Sequence, residues 1–306
     1  MRVAVTGGTG FVGKALVAAL LARGDEVWVI SRTGGKSVTA HKRLHTATWT
    51  ELAENPSKLQ GIEAIVNLAG ESISKRWTPA AKKRVLDSRL QAAARIARFV
   101  EELRQKPVTV INASGISTYG HSLDQTFDES SPTATSDFLS GIVRKWEKAA
   151  DAIDAERIVK LRFGVVLSGE GGAFPLMALP HRLFAGGRLG SGKQWLSWIH
   201  LEDAVRLVLF CLDQPAVRGA VNVSAPEPVT NDEFGRALGK AIGRPHWLPA
   251  PAFALKLALG EMSAMLLEGQ RALPAKALSH GFEFRYPTIE DALRAIVEQS
   301  KSKRGS

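Results

Sequence analysis

The sequence predicts an α/β fold, a doubly wound parallel sheet with helices on both faces and a smaller C-terminal lobe. Strand-like and helix-like segments alternate from Met1 to about Asn112, and a glycine-rich turn follows the first strand. After about Gly169 the chain changes to glycine- and proline-rich loops between short helices. Long irregular stretches inside a compact chain commonly carry function, so we expect this second part to cover one edge of the sheet.

Apolar segments rich in β-branched residues predict the strands. They lie at Val3–Thr6, Val27–Ser31, Ala64–Leu68, Val108–Ala113, Val159–Phe163 and Ala220–Ser224. Thr78-Pro79 predicts a helix start, since threonine caps and proline fits the first turn. Further helices are predicted from about Asp137, across 253–267, and after Thr288, where Thr288 to Asp291 forms a capping box.

The turn after the first strand, Gly7-x-x-Gly10-x-x-Gly13, predicts a nucleotide-binding site. It includes Thr9 and stands between a strand and the helical stretch KALVAALLARG. Its glycines allow a sharp turn and close approach to a pyrophosphate, which the amides of the following helix face.

Residues 1–168 are therefore expected to form a Rossmann-like dinucleotide-binding domain, to which helix 201–213 and strand 220–224 return. We expect 169–306 to form mainly a substrate lobe, with a small domain at about 249–297.

The end of the second strand indicates which dinucleotide binds. An acidic residue at this position accepts a hydrogen bond from the ribose 2′-hydroxyl of NAD. Here the strand ends in Ser31-Arg32. A guanidinium and a hydroxyl suit a 2′-phosphate, so the sequence favours NADP(H), unless Arg32 is an ordinary loop residue.

Two other strand ends bring small residues toward the same edge. The third strand is followed by Leu68, Ala69, Gly70 and Glu71, where a ring and ribose can lie against the backbone. By the same reasoning Ser114, in the segment Ala113-Ser-Gly, should approach the nicotinamide. In the helix that begins at Pro79, Arg89 is either a cofactor contact or a surface arginine.

The composition and the charge limit which kinds of partner and location we expect for the protein. The 306 residues carry a formal net charge of +10, which favours an anionic partner such as nucleotide phosphates, but no nucleic-acid-binding motif accompanies the basic residues. Charges interrupt every apolar stretch before the roughly 20 residues of a membrane span, so we expect no membrane partner.

The single cysteine, Cys211, is expected to be buried and favours a reducing, cytoplasmic location. The histidines show no metal-ligand spacing, and we expect a small-molecule substrate with no metal.

Six segments together resemble the atypical, epimerase-like branch of the extended short-chain dehydrogenase/reductases. They are TGGTGFVG, NLAGE, DSRL, LRFGVVLSGEGGAF, LGSGKQWLSWIHLEDA and LLEGQRALPAKALSHGFEFRYPTIEDAL, and they span nearly the whole chain. The resemblance implies NADP(H) at the N-terminal domain and a C-terminal domain of unknown function. It implies cofactor contacts at Gly10, Phe11, Val12, Ser31, Arg32, Leu68, Ala69, Arg84, Arg89 and Val166.

Active members of that superfamily use a tyrosine and a lysine four residues later as proton-transfer groups. Aligning Glu147 with the glutamate that usually follows this pair places Leu139 and Val143 at the two positions. Neither side chain exchanges a proton. The sequence therefore predicts either a non-standard proton donor or no turnover.

Four other residues are candidates for the missing chemistry. Ser114 and Ser117 are positioned to bind a substrate carbonyl or hydroxyl. Tyr119 and His200 are candidate proton donors, although Tyr119 also matches a structural tyrosine of sugar epimerases and His200 an element that anchors a helix to the sheet. The leading hypothesis is an NADP(H)-dependent oxidoreductase or epimerase acting on a small hydroxyl- or carbonyl-bearing compound, with sugar-like compounds among the candidates. The alternative is a catalytically silent NADP(H)-binding redox sensor or scaffold.

Overall fold

A computed structural model describes residues 1–34 and 41–305 of the protein. Within these residues, seven parallel strands form one sheet in the order β11-β7-β5-β4-β1-β2-β3. The strands are β1 (Arg2–Thr6), β2 (Glu26–Ser31), β3 (Leu44–Thr48), β4 (Ala64–Asn67), β5 (Thr109–Gly115), β6 (Thr126–Phe127), β7 (Arg157–Phe163), β8 (Val165–Leu167), β9 (Trp195–Leu196), β10 (Trp198–His200), β11 (Gly219–Val223), β12 (Val229–Thr230) and β13 (Arg271–Ala272). The predicted doubly wound α/β fold is confirmed.

Helices cover the sheet and build the C-terminal part. They are α1 (Phe11–Arg23), α2 (Trp49–Glu54), α3 (Pro79–Glu102), α4 (Phe138–Asp151), α5 (Phe174–Arg182), α6 (Leu201–Asp213), α7 (Asn231–Ile242), α8 (Ala252–Leu259), α9 (Ala264–Leu267), α10 (Ala275–Ser279) and α11 (Ile289–Gly305). Short 3₁₀ helices lie at Pro56–Leu59, Ile116–Tyr119 and Gly260–Ser263. In the described part of the chain, none of the helices has both the length and the apolar character needed to cross a bilayer.

Alternating residues of the central strands build two separate cores. Val3 and Val5 pack with α1 and α6 on one face, while Ala4 between them packs with Ile96 and Phe99 of α3 on the other. Successive side chains of a strand point to opposite faces, so β1 must be apolar at consecutive positions to be buried on both. This burial, at roughly 1.5–3 kcal/mol for each large aliphatic side chain, is what holds the layers together.

Three predicted helix starts are confirmed by their caps. The Thr78 hydroxyl accepts from the Ala81 amide at 3.2 Å before α3, and Asp137 accepts from the Ser140 amide at 2.7 Å before α4. Before α11, the Thr288 hydroxyl accepts from the Asp291 amide at 3.3 Å. Each cap satisfies an amide that the first helical turn leaves without a carbonyl.

One strand was missed by the sequence analysis and one predicted helix was wrong. The edge strand β3 was not predicted, because its sequence LHTAT has little of the apolar character of the inner strands. The single helix expected over 253–267 is divided into α8, a 3₁₀ turn and α9. The division falls at Gly260, whose φ of 58° is incompatible with a continuing right-handed helix.

The C-terminal part joins the sheet through several contacts. β11 extends the sheet beside β7, and β13 pairs with β6. A third core, including Trp198, Phe234 and Leu293, packs α7 against α11. These contacts bring 264–270 beside the carboxyl ends of the central strands, where open α/β sheets form their ligand sites.

Candidate active site

The glycine turn after β1 fits tightly against the end of β4. A Cβ atom on Gly7 would lie 2.6 Å from the Leu68 carbonyl carbon, and Gly7 has a φ of 70°. A Cβ on Gly13 would overlap the Gly7 carbonyl oxygen and lie 2.8 Å from the Gly8 Cα. Only glycine is compatible with these positions, and the turn connects β1 to α1 over the four residues 7–10.

The N-terminus of α1 faces this turn without a side-chain cap. Gly10 is the N-cap residue, the first turn contains no acidic residue, and the Lys14 amide makes a bond to the Gly10 carbonyl at 2.9 Å. The helix dipole and the amides from Phe11 to Gly13 are consequently free to attract an anion. The ring of Phe11 packs against the backbone at Gly171 and Gly172, so the loop after β8 lies beside the helix start.

The end of β2 carries the residues that the sequence associates with a 2′-phosphate. Ser31 is partly buried and its hydroxyl accepts from the Thr33 amide at 3.3 Å. Arg32 is exposed and, among the residues that the structure describes, forms no ion pair. The guanidinium is therefore available to a ligand.

Buried asparagines tie together the strand ends that flank the turn. Thr6 donates to Asn67 at 2.5 Å, Asn67 donates to Asn112 at 2.6 Å, and the Ala69 amide donates to Asn67 at 3.3 Å. Hydrogen bonds between uncharged side chains thus hold the backbone on either side of Leu68 in place. These hydrogen bonds connect the ends of β1, β4 and β5.

Arg89 is half-buried at this edge rather than fully exposed on α3. Its guanidinium donates to the carbonyl oxygens of Glu71, at 3.0 Å, and Val85, at 2.9 Å, and lies 4.9 Å from the Trp146 ring centroid. Desolvation lowers the pKa of Arg89 to about 10, so it stays a cation at neutral pH. Its Cζ atom would lie 3.0 Å from a Cβ on Gly70, which places a positive charge against the backbone after β4.

The other predicted contacts from this region are more exposed. The Glu71 carboxylate accepts from Lys75 at 3.3 Å and Arg84 at 3.5 Å, and the hydrogen bond from Lys75 is the main cause of a lowered Glu71 pKa. The Arg84 side chain is exposed. Val166 lies in β8, paired with Ile199 of β10.

A cleft of about 330 Å³ opens between the carboxyl end of β5, α4 and the C-terminal segment. Ser114 and Ser117 line it, and so do Leu139 and Val143 on consecutive turns of α4. Val143 packs closely on Gly115, whose Cβ would be 3.3 Å from a Val143 methyl. The positions aligned with the tyrosine and lysine of the superfamily therefore do face the cleft, with aliphatic side chains.

A buried polar network lies beside the cleft. Ser114 donates to Glu147 at 2.6 Å, and Arg162 donates to both Glu147 oxygens at 2.9 and 3.0 Å. Burial by itself would raise the pKa of Glu147, but the hydrogen bonds from Arg162 and Ser114 outweigh it and hold that pKa below its ordinary value.

Tyr119 belongs to this network. Its hydroxyl accepts from Arg162 at 2.9 Å and donates to Asn222 at 2.8 Å, and its side chain is buried. Burial raises the pKa of Tyr119. It does not line the described cleft, so the structure does not bring this proton-donor candidate to Ser114 and Ser117.

His200 also lies outside the residues that line the cleft. It caps α6, with Nδ1 accepting from the Glu202 amide at 3.2 Å, and its ring centroid is 4.0 Å from that of Tyr286. Burial lowers its pKa. The neighbouring Asp203 accepts from the amides of Arg285 and Tyr286, an arrangement that anchors α6 to the chain before α11.

The sequence analysis missed several residues that line the cleft. They are Trp77, His121, Asp137, Trp146, Glu268 and Gln270. His121 and Glu268 approach to 3.4 Å, and with Asp137 each offers a ligand atom within 4.8 Å of the others. These residues are far apart in sequence and follow no local spacing, so no pattern identified them.

Comparisons with known proteins agree with this architecture. Residues 3–140 match the model of the NAD dependent epimerase/dehydratase family, and residues 250–296 match a domain of unknown function, DUF1731. The chain is 43% identical to epimerase family protein YfhF of Bacillus subtilis over 99% of this chain and 100% of that protein.

Two further relatives span similar lengths. Epimerase family protein SDR39U1 homolog, chloroplastic, of Arabidopsis thaliana is 40% identical over 97% of this chain and 87% of that protein. The crystal structure of human epimerase family protein SDR39U1 (isoform 2) with NADPH superposes with a TM-score of 0.88 at 39% identity, covering 97% of this chain and 99% of that one.

Proposed function

Because this chain belongs to the NAD dependent epimerase/dehydratase family, we propose that it binds NADP(H) along the edge formed by Gly7 to Gly13, Ser31-Arg32 and Leu68 to Glu71. The main support is the uncapped N-terminus of α1 behind a turn that admits only glycine. The exposed Arg32, with no carboxylate partner among the described residues, supports NADP(H) over NAD(H). The crystal structure of the human relative with NADPH supports the same choice.

In this proposal each group of residues at the edge binds a different part of the cofactor. Amides from Phe11 to Gly13 hold the pyrophosphate, Ser31 and Arg32 hold the 2′-phosphate, and Leu68 to Gly70 support the adenosine side. The cations of Arg89, which is bonded to the Glu71 carbonyl, and of Arg84 neutralise further negative charge. Val166 and Ser114 lie toward the nicotinamide, which, when bound, supplies or accepts a hydride.

We further propose that the protein is an oxidoreductase or epimerase acting on a small compound with a hydroxyl or carbonyl group. Ser114 and Ser117 line the cleft and are suited to bind that oxygen. Tyr119 and His200 remain proton-donor candidates only if ligand binding rearranges their surroundings, because both are buried in other contacts. A cytoplasmic location belongs to the proposal and is supported by the single, buried Cys211.

A second function, a catalytically silent NADP(H) sensor or scaffold, is favoured by one specific observation. Leu139 and Val143 face the cleft at the positions where proton-transfer residues would stand. A strand edge suited to NADP(H), next to a cleft wall of aliphatic side chains, is compatible with cofactor binding that leads to no turnover.

Fluorescence titration with NADPH and NADH tests the cofactor proposal. NADPH should bind about tenfold or more tightly, since charge-assisted hydrogen bonds contribute roughly 1.5–3 kcal/mol. Arg32→Ala should remove most of that preference while leaving NADH affinity unchanged, and Arg43→Ala, an exposed arginine bonded to the Gly24 carbonyl, is the matched control. Equal affinities in the wild-type protein would refute the NADP(H) assignment.

Turnover is tested separately with aldehydes, ketones and nucleotide sugars, following NADPH absorbance and epimer formation by NMR. Oxidation of NADPH or a new epimer supports the enzyme, and Ser114→Ala should then reduce the rate. Saturable NADPH binding with no turnover across the panel would favour the silent alternative.

A further inference from the structure

The loop after α5 and the chain before α8 meet at a surface that is both apolar and exposed. The amides of Trp247 and Leu248 donate to the Gly186 carbonyl at 2.8 and 3.0 Å, and the Trp247 indole donates to the Phe184 carbonyl at 2.9 Å. Helix α8 follows this junction directly. We define the apolar surface by six large side chains that are 46–87% exposed: Leu183, Phe184, Trp247, Leu248, Phe253 and Leu257.

Helix α8 contributes the most exposed part of this surface. Its sequence is AFALKLAL, in which seven of the eight residues are apolar, and none of the eight is buried. Phe253 and Leu257 lie four residues apart, on one side of the helix, and they are 75% and 87% exposed. Side chains this exposed protrude from the molecule. A group of large exposed apolar side chains marks a contact with another molecule or with a membrane.

Phe184 is held on the surface in an unfavourable backbone conformation. Its φ is 62°, and among the described residues it is the one non-glycine residue with a positive φ. A Cβ atom makes this left-handed region costly, so strain of this kind is commonly associated with function. The ring stays 55% exposed, with the Arg244 guanidinium 4.4 Å from its centroid. Burial of the ring within this chain therefore does not offset the strain, whereas contact with an external partner would.

The charges beside the apolar surface are positive. The segments 174–190 and 244–260 contain no aspartate or glutamate. The flanking carboxylates, those of Asp232 and Glu261, form ion pairs with other cations. Four exposed cations lie in the two segments: Arg182, Arg188, Arg244 and Lys256. A fitting partner is therefore apolar where it meets the protruding side chains and negatively charged around them.

Two physical arguments decide between a lipid surface and a second copy of this chain. Across a two-fold interface the same four cations of both copies would face one another and repel. Protruding side chains also require a matching hollow in a folded partner, whereas a fluid lipid interface adapts to them. Tryptophan, phenylalanine and leucine beside lysine and arginine are typical of protein surfaces that lie in the plane of an anionic bilayer.

We propose that the apolar surface docks on a bilayer containing anionic phospholipids. Phe253, Leu257 and Trp247 enter the headgroup region, and the cations contact the lipid phosphates. The Trp247 N–H is bonded to the Phe184 carbonyl, so the indole leaves water without losing that hydrogen bond. Such docking needs no membrane-spanning segment and differs in this respect from the expectation of no membrane partner, which considers spans only.

Sedimentation of the full-length protein with vesicles tests the proposal. Vesicles of phosphatidylcholine mixed with phosphatidylglycerol should bind the protein at least about tenfold more tightly than vesicles of phosphatidylcholine alone, because several cations are attracted by the anionic headgroups. Added salt should weaken the binding, since it screens exposed charges. Absence of binding to the mixed vesicles, or equal binding to both kinds, would overturn the proposal.

Leu257→Ala and Lys256→Gln separate the apolar contribution from the charged one. On mixed vesicles Leu257→Ala should weaken binding about tenfold, and Lys256→Gln about fivefold. The matched controls are Leu278→Ala, at an exposed leucine of α10, and Lys148→Gln, at an exposed lysine of α4. Each control should stay within about twofold of the wild-type protein. Controls that weaken binding as much as the test variants would show that this surface is not the docking site.

Size-exclusion chromatography tests a second copy as the occupant of the same surface. We expect the wild-type protein and Leu257→Ala to elute at the same volume. A wild-type dimer that Leu257→Ala converts into a monomer would assign the surface to a second copy and overturn the proposal. NADPH affinity should be the same in both proteins, because the surface lies outside the proposed cofactor edge, so the cofactor proposal is tested separately.

Discussion

Glu147→Gln should destabilise the protein strongly even though the two side chains have nearly the same shape. Glu147 is the counter-ion of Arg162, which donates to both carboxylate oxygens, and both side chains are buried. The variant leaves the Arg162 charge in the interior without a compensating charge. Removing one partner of a buried pair costs about 3–5 kcal/mol, and the shape-conserving change should lie near the lower value.

For a chain of 306 residues, a loss of about 3 kcal/mol corresponds to a decrease in melting temperature of roughly 5 °C. Calorimetry of the purified variant at pH 7 measures it directly. Glu261→Gln is the matched control, because Glu261 pairs with Lys82 at a site where its side chain is 66% exposed. Exposed pairs contribute about 0–1 kcal/mol, so the control should melt close to the wild-type protein.

The effect should also depend on pH in one direction. The folded-state pKa of Glu147 lies below its ordinary value, so its stabilisation is present above the unfolded pKa of about 4.3 and is lost as the pH falls through the folded pKa. The difference between wild type and Glu147→Gln should therefore be largest near neutral pH and shrink in acid. A variant with wild-type stability at pH 7, or a difference that grows in acid, would refute this account of the network.

Three further predictions concern the turn, the network and the thiol. Gly13→Ala should weaken NADPH binding at least tenfold, because a Cβ would overlap the Gly7 carbonyl oxygen and displace α1; unchanged affinity by fluorescence titration would contradict the tight fit. Tyr119→Phe should lower the free energy of unfolding by about 1–3 kcal/mol in urea melts, since it removes an acceptor from Arg162, while NADPH affinity stays constant. Cys211 should be inert to a thiol-specific disulfide reagent at pH 8 in the native protein and reactive after denaturation, because burial raises its pKa to about 12; rapid native labelling would show that the thiol is accessible.

The proposed roles of Ser114 and Tyr119 differ in kind even though one network joins them. Ser114 lines the cleft and donates to Glu147, while Tyr119 is bonded to Arg162 and Asn222. Asn222 in turn donates to the Leu273 carbonyl at 2.8 Å. The network thus connects the cleft wall with the C-terminal segment.

The sequence alone determined the layer architecture and predicted the edge at which we propose that the cofactor binds. Both depend on local patterns: apolar runs of strand length, helical caps such as Thr78, and the spacing of glycines from Gly7 to Gly13. The family resemblance, aligned on Glu147, also identified Leu139 and Val143 as positions without proton-transfer groups.

Only the tertiary structure decided which residues line the cleft and which of the candidate site residues reach it. Trp77, Trp146 and Glu268 come from segments that meet only after the C-terminal part folds against the sheet. Burial and hydrogen bonding commit Tyr119 and His200 to other partners, and hydrogen bonds to the Glu71 and Val85 carbonyls place the Arg89 guanidinium at the strand edge. A side chain's accessibility, partners and pKa depend on residues distant in sequence, whereas a turn or a cap depends on its neighbours along the chain.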